Sequence, residues 1–147
     1  MSNTMREILF RGKRTDNGEW VKGIYYPVEH TGFSIPGGID YYIITRRPGG
    51  CKSQIQVIPE TIGQYTGLTD KNGNKIFEGD IVTYDKYTED GGETREKGTV
   101  YWCDGAFWVE NVQDEEDGGS IGALVVYQLE IIGNIYDNFE LLEGSNG

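Results

Sequence analysis

The sequence predicts a mostly β protein, and three observations carry that prediction. Gly occurs 22 times in 147 residues and aromatic residues reach 12%, ten of them tyrosine. Together with Val, Ile and Thr, these residues favour strands and tight turns. Apolar and polar residues alternate with period two over several short stretches, as half-buried strands require. Asp104-Gly105 stands between two apolar runs, the strongest short-range signal for a hairpin.

The elements follow in order. Ile8 and Phe10 alternate with Glu7 and Arg11 and predict a first strand. Asp16-Asn17-Gly18 is a turn, and Trp20 to Tyr26 resumes an extended run, completing an N-terminal hairpin. Residues 27–40, with Pro27, Gly32, Pro36 and Gly37-Gly38, read as a loop. Tyr41 to Thr45 is a short strand ended by Pro48-Gly49-Gly50, and Gln54 to Ile58 is another. Ile62 to Gly67 is extended, and Asp70-Lys71-Asn72-Gly73-Asn74 is a dense turn signal. Gly79 is expected at positive φ, Asp80 is expected to bond nearby backbone, and Ile81-Val82 starts a strand.

The two-residue turn at Asp104-Gly105 fixes a register. It opposes Cys103 to Ala106, Trp102 to Phe107, Tyr101 to Trp108 and Val100 to Val109. Opposed residues share a face. Val100, Trp102, Phe107 and Val109 are therefore assigned to the core, and Tyr101 and Trp108 to the other face. Asp114 to Asp117 with Gly118-Gly119 reads as a solvated acidic loop. Ile121 to Ile132 fits helix or strand, Ile131 to Tyr136 is a last strand, and Gly144 to Gly147 is a tail.

Charge is unevenly placed. Residues 1–75 carry a net +3 and residues 76–147 a net −14, within a total of −11. The acidic half disfavours general binding to phosphate backbones. No apolar run has the length of a membrane span, and Met1 to Phe10 lacks the apolar stretch of a signal peptide. A cytoplasmic protein with reduced Cys51 and Cys103 is the expectation.

Four candidate chemistries fail on their residues. Asp70, Asn72 and Asn74 have the spacing of a calcium loop, but Lys75 replaces its glycine and Ile81 its terminal glutamate. Gly49-Gly50-Cys51-Lys52-Ser53 lacks the glycine that must precede Lys-Ser in a phosphate loop. His30, the sole histidine, sits in a Gly-rich loop and leaves a Cys–His pair with Cys51 or Cys103 open, but Cys103 abuts a predicted tight turn with no activating motif around it, and a loop histidine is more often simply exposed. Glu78 and Asp80 flank Gly79, but Asp80 is better suited to organising that turn. No catalytic residue, metal or cofactor is expected. The aromatic pair Tyr101 and Trp108 is retained as the candidate binding surface, for peptides or bases.

Pro59 to Leu68, Asp70 to Gly73 and Ile76 to Val82 together resemble the signature of the YopX family of phage and prophage proteins. Arg6 to Gly12 is similar to that family's start, and Leu129 to Asn138 with Leu141-Leu142 to its end. The resemblance implies a phage or prophage origin and an SH3-like barrel in the central to C-terminal part. It supplies no catalytic residues. The stretch between Tyr84 and Thr99 and the acidic loop near Asp114 look like variable insertions. The resulting expectation is an N-terminal β hairpin region over residues 1–58, packed with an SH3-like barrel over 59–142, and a tail over 143–147. The expected function is a non-enzymatic accessory role through protein–protein contacts, self-association included. The alternative is a nucleic-acid-associated module using Arg6, Arg11, Lys13 and Arg14, or an acidic mimic of DNA that blocks a host protein.

Overall fold

The structure, a computed structural model, describes residues 7–30, 38–114, 117–124 and 128–143. Arg6 and the tail Gly144 to Gly147 lie outside the described residues. The chain divides into two compact units, Met1–Tyr65 and Thr66–Gly147. Among the described residues no helix is long and apolar enough to cross a membrane.

The first unit contains β1 (Phe10–Lys13), β2 (Trp20–His30), β3 (Gly38–Arg46), β4 (Lys52–Gln56) and the start of β5 (Gly63–Thr69). Its sheet runs in the order β4-β3-β2-β1-β5. The N-terminal hairpin forms as expected, with Gly18 at φ 73° in its turn and Arg14 N–H donating to Glu19 O at 2.8 Å. The expected loop over residues 27–40 does not hold: β2 extends to His30, and β3 already begins at Gly38. Residues 31–37 lie outside the described residues. Pro27 is tolerated because β1 covers β2 only along residues 20–23, so among the described residues β2 has a neighbour on one side at Pro27. Odd-numbered residues of β2 and β3 point to the apolar side. There Phe10, Tyr25 and Tyr41 form a run of ring contacts at 5.3 and 6.3 Å, and Ile43 is wholly buried.

The second unit begins within β5, which meets β6 (Lys75–Phe77), with Thr66 Oγ1 donating to Ile76 O at 2.8 Å. β7 (Asp80–Tyr87), β8 (Glu93–Cys103), β9 (Ala106–Asn111) and β10 (Gly118–Ser120) follow as a meander, then α1 (Ile121–Leu124) and β11 (Glu130–Asn134). The order is β10-β9-β8-β7-β11, entirely antiparallel. Among the described residues the pairing does not close, so where the sequence led us to expect a barrel there is an open five-stranded sheet. The ambiguous stretch from Ile121 resolves into one short helix and, after residues 125–127, which lie outside the described set, strand β11. The core gathers Ile76, Val82, Tyr84, Val100, Phe107, Val109, Ile121 and Leu129.

The β8–β9 register agrees with the expectation at every predicted pair. Asp104 and Gly105 have φ of 49° and 82°, the two positive values that a type I′ turn needs. Val100, Phe107 and Val109 are buried, but Trp102 is 49% exposed, contrary to its core assignment. It lies one pair from the turn, where the sheet ends, and stacks edge-on against Phe107 with centroids 4.7 Å apart.

Candidate functional site

Tyr101 and Trp108, the predicted pair, stand directly opposed on β8 and β9 and are both half-buried. The indole Nε1–H donates to Cys103 O at 3.0 Å, so its one donor is used within the hairpin. Burial pushes the Tyr101 phenol up, helped by Glu110 and Cys103. Ser120 of β10 flanks Trp108 on its other side. Thr99 and Glu110, on the same face, border a cavity of about 250 Å³ that reaches Leu142. The pair can offer ring surface and one phenol hydroxyl to a partner, with the Glu110 carboxylate beside them.

A second group of polar residues lies on the inner face of the same sheet. Asn111 Nδ2 donates to Asp117 Oδ2 at 2.9 Å, to Tyr84 Oη at 3.2 Å and to Glu96 Oε2 at 3.3 Å. Tyr84 Oη donates to Asp117 Oδ2 at 3.1 Å, and Lys86 Nζ lies 2.9 Å from Asp117 Oδ1. Burial pushes the Tyr84 phenol up to about 12, and the neighbouring carboxylates add to this against the Asn111 hydrogen bond. Burial also works against ionisation of Asp117, but hydrogen bonds from Lys86, Asn111 and Tyr84 outweigh it and leave the carboxyl below its usual range. A cleft of about 190 Å³ opens over Tyr84, Lys86, Asp117 and Leu124. At neutral pH the carboxylate is thus charged and held by three donors, while the phenol keeps its proton. The group ties β7 and β9 to the acidic loop. Asp117 is therefore an anchor and not a solvated charge, which corrects the reading of 114–117 as a wholly solvated loop. A signal for this was available: continuing the Phe107, Val109 alternation by two residues places Asn111 inside.

The other sequence candidates have structural partners. Asp70 is buried, and its two oxygens accept from the N–H groups of Asn72, Asn74 and Ile131 at 2.9, 2.9 and 3.0 Å. This is a side-chain-organised turn, as expected, and it also fixes the entry to β11. Asp80 is buried and accepts from Phe77 N–H at 2.7 Å across the Gly79 turn. His30 is not in a loop but ends β2, with Nε2 2.6 Å from Asp40 Oδ2. Cys51 and Cys103 are free and exposed. Pro48–Gly50 is a 3-10 turn leading into β4, as the failed phosphate motif implied. Among the described residues no group of three or more His, Cys, Asp or Glu side chains is placed to hold a metal ion.

The surface that sequence reasoning missed is the outward face of the first unit's sheet. The registers place Arg11 opposite Lys22, Lys13 opposite Trp20, Ile24 opposite Ile44, Tyr26 opposite Tyr42 and Arg46 opposite Lys52. All of these side chains therefore share one face. Ile24 is 57% and Tyr26 47% exposed, and Tyr42 and Ile44 are half-buried beside them. The Arg11 guanidinium covers the Trp20 ring at 4.7 Å, with Lys13 Nζ at 5.7 Å. The strand residues of this face include one acid, Asp40, and it is engaged by His30. An apolar centre thus lies beside exposed Lys22, Arg46 and Lys52, while Arg11 on the same face is buried. The pattern was hidden because β3 and β4 had to be registered against β2 before the residues could be seen to share a face.

The sequence model of a family described as YopX protein matches residues 9–143. Among solved structures the chain is similar to protein EF1440 from Enterococcus faecalis, at 27% identity over 95% of this chain and 100% of that one, with a TM-score of 0.49. No curated protein matches it.

Proposed function

The chain belongs to the YopX family, and from that premise we propose that it is a non-enzymatic phage or prophage accessory protein that works through protein–protein contacts, its own copies included. The outward face of the first unit supports this reading best. Ile24 and Tyr26 stand exposed with Tyr42 and Ile44 beside them, and cations lie at one end. An apolar centre with a charged rim is the composition of a protein interface. Tyr101 and Trp108 are a secondary surface in the same reading. The second unit's strand order, with the last strand returning beside the first and a short helix before it, supports an open form of the SH3-like barrel.

Light scattering across a concentration series tests the reading. Oligomers are expected, and the double substitution Ile24→Ser and Tyr26→Ser is expected to dissociate them. A wild-type monomer at every concentration would overturn it.

A further inference from the structure

We propose that the open edge of β4 takes an extended, acidic segment of a partner protein as an added strand. The inference names a partner's chemistry for the reading of protein–protein contacts and rests on that reading.

β4 is the outermost strand of the first unit's sheet. Its odd-numbered residues bond to β3, and the bonds that flank it set this phase. Val57 N–H donates to Tyr41 O at 2.9 Å, and Arg47 N–H donates to Cys51 O at 2.6 Å. In an antiparallel ladder the residues between such pairs turn their backbone groups the other way. Lys52, Gln54 and Gln56 therefore point N–H and C=O away from β3. Gln56 agrees, because its carbonyl accepts from Thr15 N–H at 3.1 Å. Arg14 and Val57 form an antiparallel bridge in the same lane. The chain after β1 thus fills the lane beside Gln56 and leaves it open beside Lys52 to Ile55. Among the described residues nothing pairs with β4 there, and Lys52 and Gln54 are exposed. Four residues of extended chain, about 13 Å, match that length.

The side chains select the strand. Arg46 stands opposite Lys52, and Arg47 begins the turn between them. All three are exposed, and among the described residues no acid is placed against any of them. An added antiparallel strand sets one residue opposite Lys52 and, two positions earlier, one opposite Gln54. A carboxylate facing Lys52 makes an opposite-charge pair across strands, which stabilises a sheet. The residues between lie on the other face, where Ile55 is half-buried and Val57 buried. Apolar residues suit those positions.

A second copy and a nucleic acid fit this edge less well. With the lane filled at Gln56, two β4 strands can pair only about Lys52 or Ser53. Either register sets the two Lys52 side chains opposed or diagonal on one face, where like charges repel. Phosphates accept hydrogen bonds and donate none, so they leave the outward carbonyls of Lys52 and Gln54 without donors. The chain's net charge of −11 also repels a polyanion. An extended peptide supplies donors and acceptors alike.

The test titrates the isotope-labelled full chain with acetyl-Val-Thr-Val-Glu-Glu-amide and follows backbone amides by NMR. Saturable shifts are expected at Lys52 and Gln54. Methylating the backbone nitrogen of the first Glu, which faces Lys52, is expected to weaken binding about 10-fold or more. That control leaves the protein unaltered, so a misfolded variant cannot decide the result. Gln54→Pro removes an outward donor that an edge strand does not need. It is expected to weaken binding about 10-fold with circular dichroism unchanged. Arg46→Ala with Lys52→Ala is expected to cost about 3-fold or more, and a peptide ending in Lys-Lys is expected not to bind. Unmoved Lys52 and Gln54 amides would overturn the inference, as would equal binding of the methylated or the Lys-Lys peptide. Oligothymidine shifting the same amides would overturn it in favour of nucleic acid. An oligomeric wild type that binds no peptide would overturn this inference alone. A wild type that is monomeric at every concentration and binds no peptide would overturn the reading of protein contacts as well.

Discussion

At Gly79 the backbone turns through φ 93°, and a Cβ placed there would sit 3.0 Å from Cε2 of Tyr136. An L residue pays twice at this position, for the left-handed conformation and for displacing the ring. Gly79→Ala is expected to lower stability by about 1–2 kcal/mol from the backbone alone, read as a shift in urea midpoint. Gly122, in α1, has open space around its missing Cβ and no positive φ. Gly122→Ala is expected to stabilise by about 0.4–1 kcal/mol, so the pair separates backbone strain from a general effect of adding a methyl. Gly79 and Asp80 were legible because their geometry is set within four residues, where the Asp80 carboxylate reaches Phe77 N–H. Asn111 and Asp117 were not, since the partners that define them, Tyr84 and Lys86, lie on another strand.

At the scale of elements, the turn from Asp70 to Asn74 links two parts of the second unit. Its carboxylate holds its own loop through Asn72 and Asn74 and holds β11 through Ile131. Burial works to raise the Asp70 pKa, but these backbone donors prevail and leave it lowered. A lowered folded-state value means that the unfolded chain takes up the proton first as pH falls. The stabilisation is therefore fully present above the unfolded value, about pH 4, and is lost below it as pH drops through the folded value. Urea midpoints are expected to be flat from neutrality to about pH 5 and to fall in more acid solution. Asp70→Asn is expected to be less stable at neutrality with a shallower acid decline. A variant as acid-sensitive as the wild type would show that Asp70 does not contribute. The β8–β9 hairpin could be read from sequence because a two-residue turn fixes its register. β2 and β3 were cut short because Pro27 and the glycines that follow carry strong loop signals. Pairing across seven positions overrode them.

Over the whole molecule the governing quantity is charge. A sequence pI near 4.4 and the concentration of acids after residue 75 keep the chain anionic at neutrality. Solubility is expected to pass through a minimum near pH 4.4, measured by turbidity across a pH series, with recovery on either side. The mostly β class and the family were legible because they depend on composition and on motifs spread along the chain. The open sheet was not, because whether a last strand closes a barrel depends on its pairing, and among the described residues β11 pairs with β7 alone. The division at Tyr65 and Thr66 falls inside β5, where no proline, glycine run or change of composition marks it.

Trp20 gives the outward face of the first unit a property of its own. It is the first unit's one tryptophan, and it lies beneath the Arg11 guanidinium on the surface proposed to dock. With Trp102→Phe and Trp108→Phe, all indole fluorescence would come from that spot. Indole emission shifts to the blue as water leaves the ring, so covering the face would change the colour of the protein's own light. The molecule thereby carries a label-free optical gauge of its own assembly, placed where the contact would form.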